Sequence, residues 1–383
     1  MDKPTVQDIF HRFYPAYLDQ YSPSPVQAKV AHNIMNCKTG AYGANVCVCE
    51  DCGFVQIHYN SCRNRCCPMC QAVPKEMWMD ARREDVLDAP YFHLVFTVPD
   101  ILNPVIYSNQ RLLYDALYHA ASSTISELTA DPKHLGAKVG YICILHTWGS
   151  EMNFHPHIHT ILLGGGLASN NQWKDNGENF FLPIRIISKV FRGKYLEELK
   201  RLWKEDKLVF HGTAEKSRNH YTFKELLDSC YGMDWIPHCK KTFNGAQTVI
   251  KYLGKYTHRI AVSNHRTVRM DDDTVTFLVK DYRNEGQWKE LTISGVEFVR
   301  RFLMHVPPRR FVRIRHYGLL CSRTKSQKLT LCRNLLGCKK YLSKLRDMEM
   351  PEILEHLYGI KVCVCKACGG HLGKPQMRMP LRC

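Results

Sequence analysis

Acidic residues are scarce in this chain of 383: Asp and Glu number 36 against 53 Lys and Arg, a formal charge of +17 at a pI near 9.1. Such a surplus draws polyanions, which makes nucleic acid the leading partner. Long apolar runs are missing too. Apolar residues make up 45% of the chain, yet none of their runs approaches the roughly 18 residues of a spanning helix. The opening Met1-Asp2-Lys3-Pro4-Thr5 lacks the charged-then-apolar order of a secretory signal. A soluble cytoplasmic protein with no membrane partner is therefore expected. There is no internal repeat and no low-complexity tract, which argues against a solenoid or a disordered tail. At about 100–200 residues per domain, the length implies two or three domains.

What is abundant is cysteine. The 18 cysteines cluster, seven between Cys47 and Cys70 and three between Cys363 and Cys368. Disulfide scaffolds belong to short secreted chains, so clusters here indicate metal. Cys49-x-x-Cys52 is followed after 14 residues by Cys67-x-x-Cys70, and two such knuckles supply the four thiolates of a structural Zn²⁺ site with no open position for substrate. Cys47, Cys62 and Cys66, with His58 or His32, can hold a second ion or remain free thiols. Tyr59, Arg63, Asn64 and Arg65 suggest a DNA-facing surface. Near the end, Cys363-x-Cys365-x-x-Cys368 repeats the theme, with His371 or Cys383 to complete a third site. Free thiols on a tail are the plainer alternative.

The intervening chain alternates strand and helix. Val6–Tyr17 reads as helix, Ser22-Pro23-Ser24-Pro25 as a break, and Pro74–Leu87 as helix. Tyr91–Val98 is a β-branched and aromatic strand, Pro104–Leu128 a helix, and Val139–Trp148 and Phe154–Leu163 are two strands closed by Gly164-Gly165-Gly166. That order is the first half of a ferredoxin-like β-α-β-β-α-β unit, an α+β fold. Residues 167–235 read as an insertion with a helix at Val190–Lys204, and Trp235–Lys241 as the next strand. A helix capped by Asn244 and Gln247 follows. The expected division is a zinc-binding head at 1–88, a core domain at 89–265 and a basic C-terminal region at 266–383.

Two weak signals lie inside the core. In His155-Pro156-His157-Ile158-His159, strand alternation turns His157 and His159 to one face, where both can hold one divalent cation. Thr160 and Ile161 follow, so the His-x-His-x-Asp-His pattern of metallo-lactamase-type hydrolases fails here. A tight hairpin at Met152 would bring His146 opposite His157 as third ligand; Glu151 and His155 are the alternatives. Downstream, Tyr252 and Tyr256 stand about 40 degrees apart on a helix, at the shoulder of an apolar stripe, with Lys251 and Lys255 further round. Alone, either pair is more often packing than chemistry.

Together these residues resemble the rolling-circle transposases of the insertion-sequence ninety-one family, members of the HUH single-strand endonuclease superfamily. The resemblance rests on Tyr59-Asn60-Ser61-Cys62-Arg63-Asn64-Arg65 with Cys67-Pro68-x-Cys70-Gln71, on His155-Pro156-His157-Ile158-His159 with its glycines, on Tyr252-Leu253-Gly254-Lys255-Tyr256, and on Pro307-Pro308-Arg309-Arg310-Phe311. Cys66 stands where the family often has His. The resemblance implies an HUH nuclease core built as a ferredoxin-like (RRM-like) antiparallel sheet with helices on one face, and Mg²⁺ or Mn²⁺ on His157, His159 and a third ligand. It further implies Tyr252 and Tyr256 as nucleophiles, aided by Lys255, that nick single-stranded DNA at transposon ends through a 5′-phosphotyrosine and transfer it to target DNA. Arg63, Arg65, Arg309, Arg310, Arg313 and Arg315 are the expected DNA contacts. A replication initiator or a relaxase would share this chemistry. A noncatalytic zinc-ribbon regulator would use the same histidines and tyrosines as core.

Overall fold

The computed structural model describes residues 3–175, 182–235, 238–243, 249, 254, 261–281 and 284–378. Two capped helices open the chain. Thr5 and Asp8 form a capping box for α1 (Val6–Gln20), which buries Val6, Ile9, Phe10, Phe13, Tyr14 and Tyr17 as one stripe. The Ser-Pro-Ser-Pro break supplies the start of α2 (Pro25–Met35), with Ser24 as cap and Pro25 in the first turn, where its missing N–H costs nothing. A hairpin of β1 (Ala44–Val48) and β2 (Val55–Tyr59) follows, and then α3 (Ala72–Arg83).

The core is built from β3 (Tyr91–Thr97), α4 (Asn103–Ser108), α5 (Gln110–Ala130), β4 (Lys138–Trp148), β5 (Phe154–Leu167), the short β6 (Trp173–Asp175), α6 (Ile184–Lys204), α7 (His220–Gly232) and β7 (His238–Phe243). Among the described residues every strand pairing in its sheet is antiparallel, in the order β11-β4-β5-β3-β7 with β6 added to β5, where β11 is Ile314–Gly318. Leaving out β11 and β6, the spatial order of the four strands is that of a β-α-β-β-α-β unit, with α6 and α7 standing where its second helix belongs. Alternation along the strands gives two faces. Phe92, Leu94 and Phe96 pack with α5, α6 and α7 on one, burying Tyr114, Tyr118, Phe191 and Tyr195. The other carries Tyr91, Ile142, Ile144, Ile161 and Leu163, covered in part by Met79 of α3 and by Leu329 and Cys332 of α9 (Lys325–Leu336).

The three glycines expected to close the histidine strand lie inside β5 instead. A Cβ at Gly166 would collide with the Lys138 carbonyl, and one at Gly165 with the Trp173 ring, so the strand continues only because these positions carry none.

A second layer interleaves the chain ends. β8 (Thr267–Met270), β9 (Thr274–Asp281) and β10 (Gln287–Ser294) form a separate sheet, and α8 (Gly295–Met304) packs Phe298, Val299, Phe302 and Leu303 against α1 and α2. Phe13 rides directly over Gly295, where a Cβ would clash with its ring. At the C-terminus, α10 (Met350–Tyr358) is followed by β12 (Gln376–Arg378), which pairs with β1. Segments of the chain pack across the expected divisions near 88 and 265. Residues 314–318 belong to the core sheet, 376–378 to the head, and the N-terminal helices to the layer formed by 261–306. The reason is that α1 buries its stripe against α8, a partner that linear composition does not announce.

Candidate functional site

The β4–β5 hairpin builds the site. Its turn runs through Met152 at φ 58° with a Gly149–Asn153 backbone pair, and this register sets His146 directly across from His157. One ring nitrogen of each of His146, His157 and His159 lies within 4.8 Å of the others. His157 Nε2 and His159 Nε2 are 3.0 Å apart; nitrogens sharing one ion at about 2.1 Å stand roughly 3 to 3.4 Å apart. All three rings are buried.

The remaining nitrogens are held from behind. His157 Nδ1 lies 2.7 Å from the His155 carbonyl and donates to it, which leaves Nε2 with its lone pair toward the cluster. Burial, and secondarily the nearby His155, pull the His157 pKa down from 6.5 to about 4, keeping it in the neutral form that binds metal. His159 Nδ1 is 2.9 Å from His93 Nε2, and the two rings stack at 5.1 Å. His93, on β3, was not singled out by sequence; one histidine in an aromatic strand carries no spacing signal. Of the other ligands considered, His155 turns its Nδ1 to Asp100, 3.2 Å away. Glu151 is exposed on the turn, where its carbonyl accepts from Arg301.

A cleft of about 460 Å³ opens over the histidines, walled by Val95, Thr97, Trp148, Arg266, Lys280 and Trp288. Arg266 is buried and donates to the carbonyls of Ser150 at 2.5 Å, Leu278 at 2.7 Å and Ala261 at 3.2 Å, tying the hairpin turn to β9. Lys280 Nζ stands 5.3 Å above the half-exposed Trp288 ring. A cationic and an aromatic group thus share the cleft mouth. Tyr252, Lys255 and Tyr256 lie outside the described residues. Their described neighbours sit on the histidine side of the sheet: Val249 is buried with Ile142, Ile144 and Ile161, and a Cβ at Gly254 would collide with Met79 Sδ.

The cysteines combine differently from their sequence spacing. Cys37, at the end of α2, joins Cys62, Cys67 and Cys70, with Cys37 Sγ 3.1 Å and Cys62 Sγ 3.5 Å from Cys70 Sγ. Cys49 and Cys52 stand with Cys365 and Cys368 instead. The expected Cys49, Cys52, Cys67, Cys70 set is therefore split, because the β1–β2 turn that carries Cys49 and Cys52 points its thiols at the C-terminal segment. Cys47 and Cys66, both buried, and the exposed Cys363 stand outside both groups. His371 turns its Nδ1 to Glu50 at 3.5 Å rather than to the thiols. Neither His32 nor His58 joins a thiol group: His32 Nδ1 faces Asn36 and His58 Nε2 faces Gln56. Cys383 lies outside the described residues.

The arginines divide as well. Arg63, Arg309 and Arg310 are exposed. Arg65 donates to the carbonyls of Phe311 at 2.6 Å and Pro308 at 3.4 Å, pinning the Pro-Pro-Arg-Arg-Phe turn to the head. Arg315 pairs with Asp115 and lies 4.0 Å over the Tyr118 ring, and the half-buried Arg313 has its pKa lowered by desolvation. The run read as a basic DNA-contacting stretch leads into the edge strand β11, whose one arginine, Arg315, is engaged within the protein.

Two family models match this chain: one described as a transposase zinc-binding domain over residues 9–98, and one described as "Putative transposase" over 140–328. A protein of Sinorhizobium fredii named "Putative transposase y4qJ" is 40% identical over 95% of this chain and 93% of its own length. The transposase for insertion sequence element IS801 of Pseudomonas savastanoi is 30% identical over 79% of this chain and 72% of its own. Among solved structures, a conjugative relaxase TrwC in complex with oriT DNA aligns over 67% of this chain and 96% of its own at 13% identity. Its TM-score of 0.27 is too low to support any comparison of detail. The chain belongs to the insertion-sequence ninety-one family of transposases, with that family's zinc-binding domain at its N-terminal end. Among the described residues, no helix is long and apolar enough to cross a membrane.

Proposed function

We propose that this transposase cuts single-stranded DNA at the ends of its element and carries the strand to a target through a covalent protein–DNA link. The observation that carries the reading is the convergence of His146, His157 and His159 in a cleft that also holds Lys280 and Trp288. Three neutral imidazoles from a rigid hairpin fit a divalent first-row ion. They suit Mn²⁺ better than Mg²⁺, which prefers oxygen ligands and keeps its water. An ion held there would polarise a phosphate oxygen and offset the charge that builds on it.

The chain's own residues supply the rest. Tyr252 or Tyr256 attacks phosphorus through its phenolic oxygen. The new bond is Tyr O–P, the broken bond is P–O3′, and the departing 3′ oxygen takes up a proton. The phosphodiester energy stays in the tyrosine link, so a free 3′-hydroxyl can later reverse the step elsewhere without ATP. Two tyrosines allow a second cleavage while the first remains occupied. An ordinary phenol ionises near 10, and Lys255, directly before Tyr256 in the sequence, is a cation able to favour the phenolate. Lys280 would hold a phosphate, and Trp288 offers a surface on which a base can stack. The Arg63 and Arg309-Arg310 cations extend the basic surface along the head.

The test uses the full-length protein, an end-derived single strand and Mn²⁺. A band that survives denaturation and is lost in the His157→Ala/His159→Ala variant supports the reading. An adduct of unchanged yield in that variant contradicts it.

A further inference from the structure

The zinc-binding domain match ends at residue 98 and the second match ends at 328, so Cys365 and Cys368 lie beyond both. These two thiols nevertheless stand in the head. Cys49 Sγ is 3.5 Å from Cys368 Sγ, Cys52 Sγ is 3.8 Å from Cys365 Sγ, and all four fall within 4.8 Å of one another. Four sulfurs at about 2.3 Å from one tetrahedral ion stand about 3.8 Å apart. The spacing is that of a filled zinc site, and these pairs are separated by 319 and 313 residues of chain.

The backbone gives a second, independent observation. Cys49-Glu50-Asp51-Cys52-Gly53 and Cys365-Lys366-Ala367-Cys368-Gly369 are the same knuckle built twice. Gly53 and Gly369 adopt φ values of 70° and 76°. Gly53 N–H donates to the Cys49 carbonyl and Gly369 N–H to the Cys365 carbonyl, each at 3.0 Å. The first cysteine of each donates a strand-like bond, from Cys49 N–H to the Phe54 carbonyl at 2.9 Å and from Cys365 N–H to the Gly370 carbonyl at 2.8 Å. In the C-terminal copy, Ala367 N–H and Gly370 N–H each lie 3.4 Å from a cysteine sulfur, the hydrogen bonding that suits a ligating thiolate. Two knuckles of one geometry facing each other make the four-thiolate arrangement of a zinc ribbon, here with its halves at opposite ends of the chain.

The surroundings fit a closed joint. Glu50 N–H donates to the His371 carbonyl at 3.1 Å, Gly373 N–H to the Val48 carbonyl at 2.9 Å, and His371 N–H to Asp51 Oδ2 at 3.2 Å. Gly370 presses against Asp51 so closely that a Cβ would collide with its carboxylate. Strand β12 then pairs with β1, Ala44 opposite Arg378.

We infer that Cys49, Cys52, Cys365 and Cys368 bind a second structural zinc that fastens the C-terminal segment to the N-terminal head. It is distinct from a zinc held by Cys37, Cys62, Cys67 and Cys70. The clasp closes a loop of more than 300 residues containing the whole histidine sheet. A metal clip over so long a loop removes much conformational freedom from the unfolded chain. Residues 363–378 are thereby a working part of the head.

Two measurements on the full-length chain test this. Reconstitution with Co²⁺ counts thiolate-bound ions through sulfur-to-metal charge-transfer absorbance, which a histidine-bound ion does not give. Wild type should bind two such ions. Cys365→Ser/Cys368→Ser and Cys49→Ser/Cys52→Ser should each bind one, and the quadruple variant should still bind one. Two ions in the Cys365→Ser/Cys368→Ser protein would overturn the proposal. The second measurement needs no variant: the zinc-loaded wild type is pulse-alkylated during a chelator titration and its cysteines are read by mass spectrometry. Cys49, Cys52, Cys365 and Cys368 should become reactive together, in a step separate from Cys37, Cys62, Cys67 and Cys70. If Cys365 and Cys368 react from the start at the rate of the exposed Cys321 while Cys49 and Cys52 stay protected, the clasp does not exist.

Discussion

His93 Nε2 lies 2.9 Å from His159 Nδ1 across the β3–β5 pairing, and this contact decides which nitrogen of His159 faces the cleft. With Nδ1–H donating to His93, Nε2 keeps its lone pair for a metal. His93→Phe keeps a stacking ring and removes the acceptor. Mn²⁺ affinity, measured by calorimetry, should fall about 10–100-fold with no change in thermal unfolding of the apo protein. Unchanged affinity would show that the stack alone orients His159.

Trp288 is half exposed at the cleft mouth beneath the Lys280 ammonium. If a base stacks there, Trp288→Ala should weaken binding of a short single strand by about 1–3 kcal/mol, read by fluorescence anisotropy. Duplex of the same sequence, whose bases are already stacked, should be affected less. Equal losses for both would assign Trp288 to packing.

Phe10 of α1 and Phe302 of α8 meet edge to face at 5.2 Å, both fully buried, and they join the N-terminal helices to the second layer. Phe302→Ala should cost about 3–5 kcal/mol in urea unfolding. Phe10→Ala should cost a similar amount, and the double variant less than the sum, because the ring pair is lost only once.

Glu297 sits between Arg300 and Arg301, with contacts of 2.5 and 2.7 Å. Arg301 in turn holds the Glu151 carbonyl on the histidine hairpin turn at 2.9 Å. Hydrogen bonding from Arg300 first, then from Arg301, brings the Glu297 pKa from 4.5 down to about 2. A carboxyl depressed on folding stabilises fully above its unfolded value and loses that contribution as pH falls toward the folded one. The stability difference between wild type and Glu297→Gln should therefore be constant above about pH 5 and shrink between about 4.5 and 2. A difference that does not change with pH would mean the pair contributes nothing through charge.

Much of the core was legible because its signals are local. Tyr91–Val98, Val139–Trp148 and Phe154–Leu163 read as strands from β-branched and aromatic runs. A two-residue alternation put His157 and His159 on one face, and the turn at Met152 set His146 opposite His157. The illegible parts depend on distant segments. Cys37 is a single thiol at a helix end, without a partner at knuckle spacing. The pairing of Cys49 and Cys52 with Cys365 and Cys368 is tertiary, so spacing favoured the nearer Cys67 and Cys70. Strand β11 was hidden by Arg315, whose charge suggested a DNA contact, although its guanidinium lies over Tyr118 beside Asp115.

The central claim is that a tyrosine of the Tyr252-Leu253-Gly254-Lys255-Tyr256 segment becomes joined to DNA. Trapping the product of full-length protein, an end-derived single strand and Mn²⁺, then mapping the DNA-linked peptide by mass spectrometry, addresses it directly. The phosphate should be found on Tyr252 or Tyr256, and the Tyr252→Phe/Tyr256→Phe protein, still folded and still binding the strand, should yield no adduct. An adduct on any other residue, or one that persists in the double variant, would contradict the account.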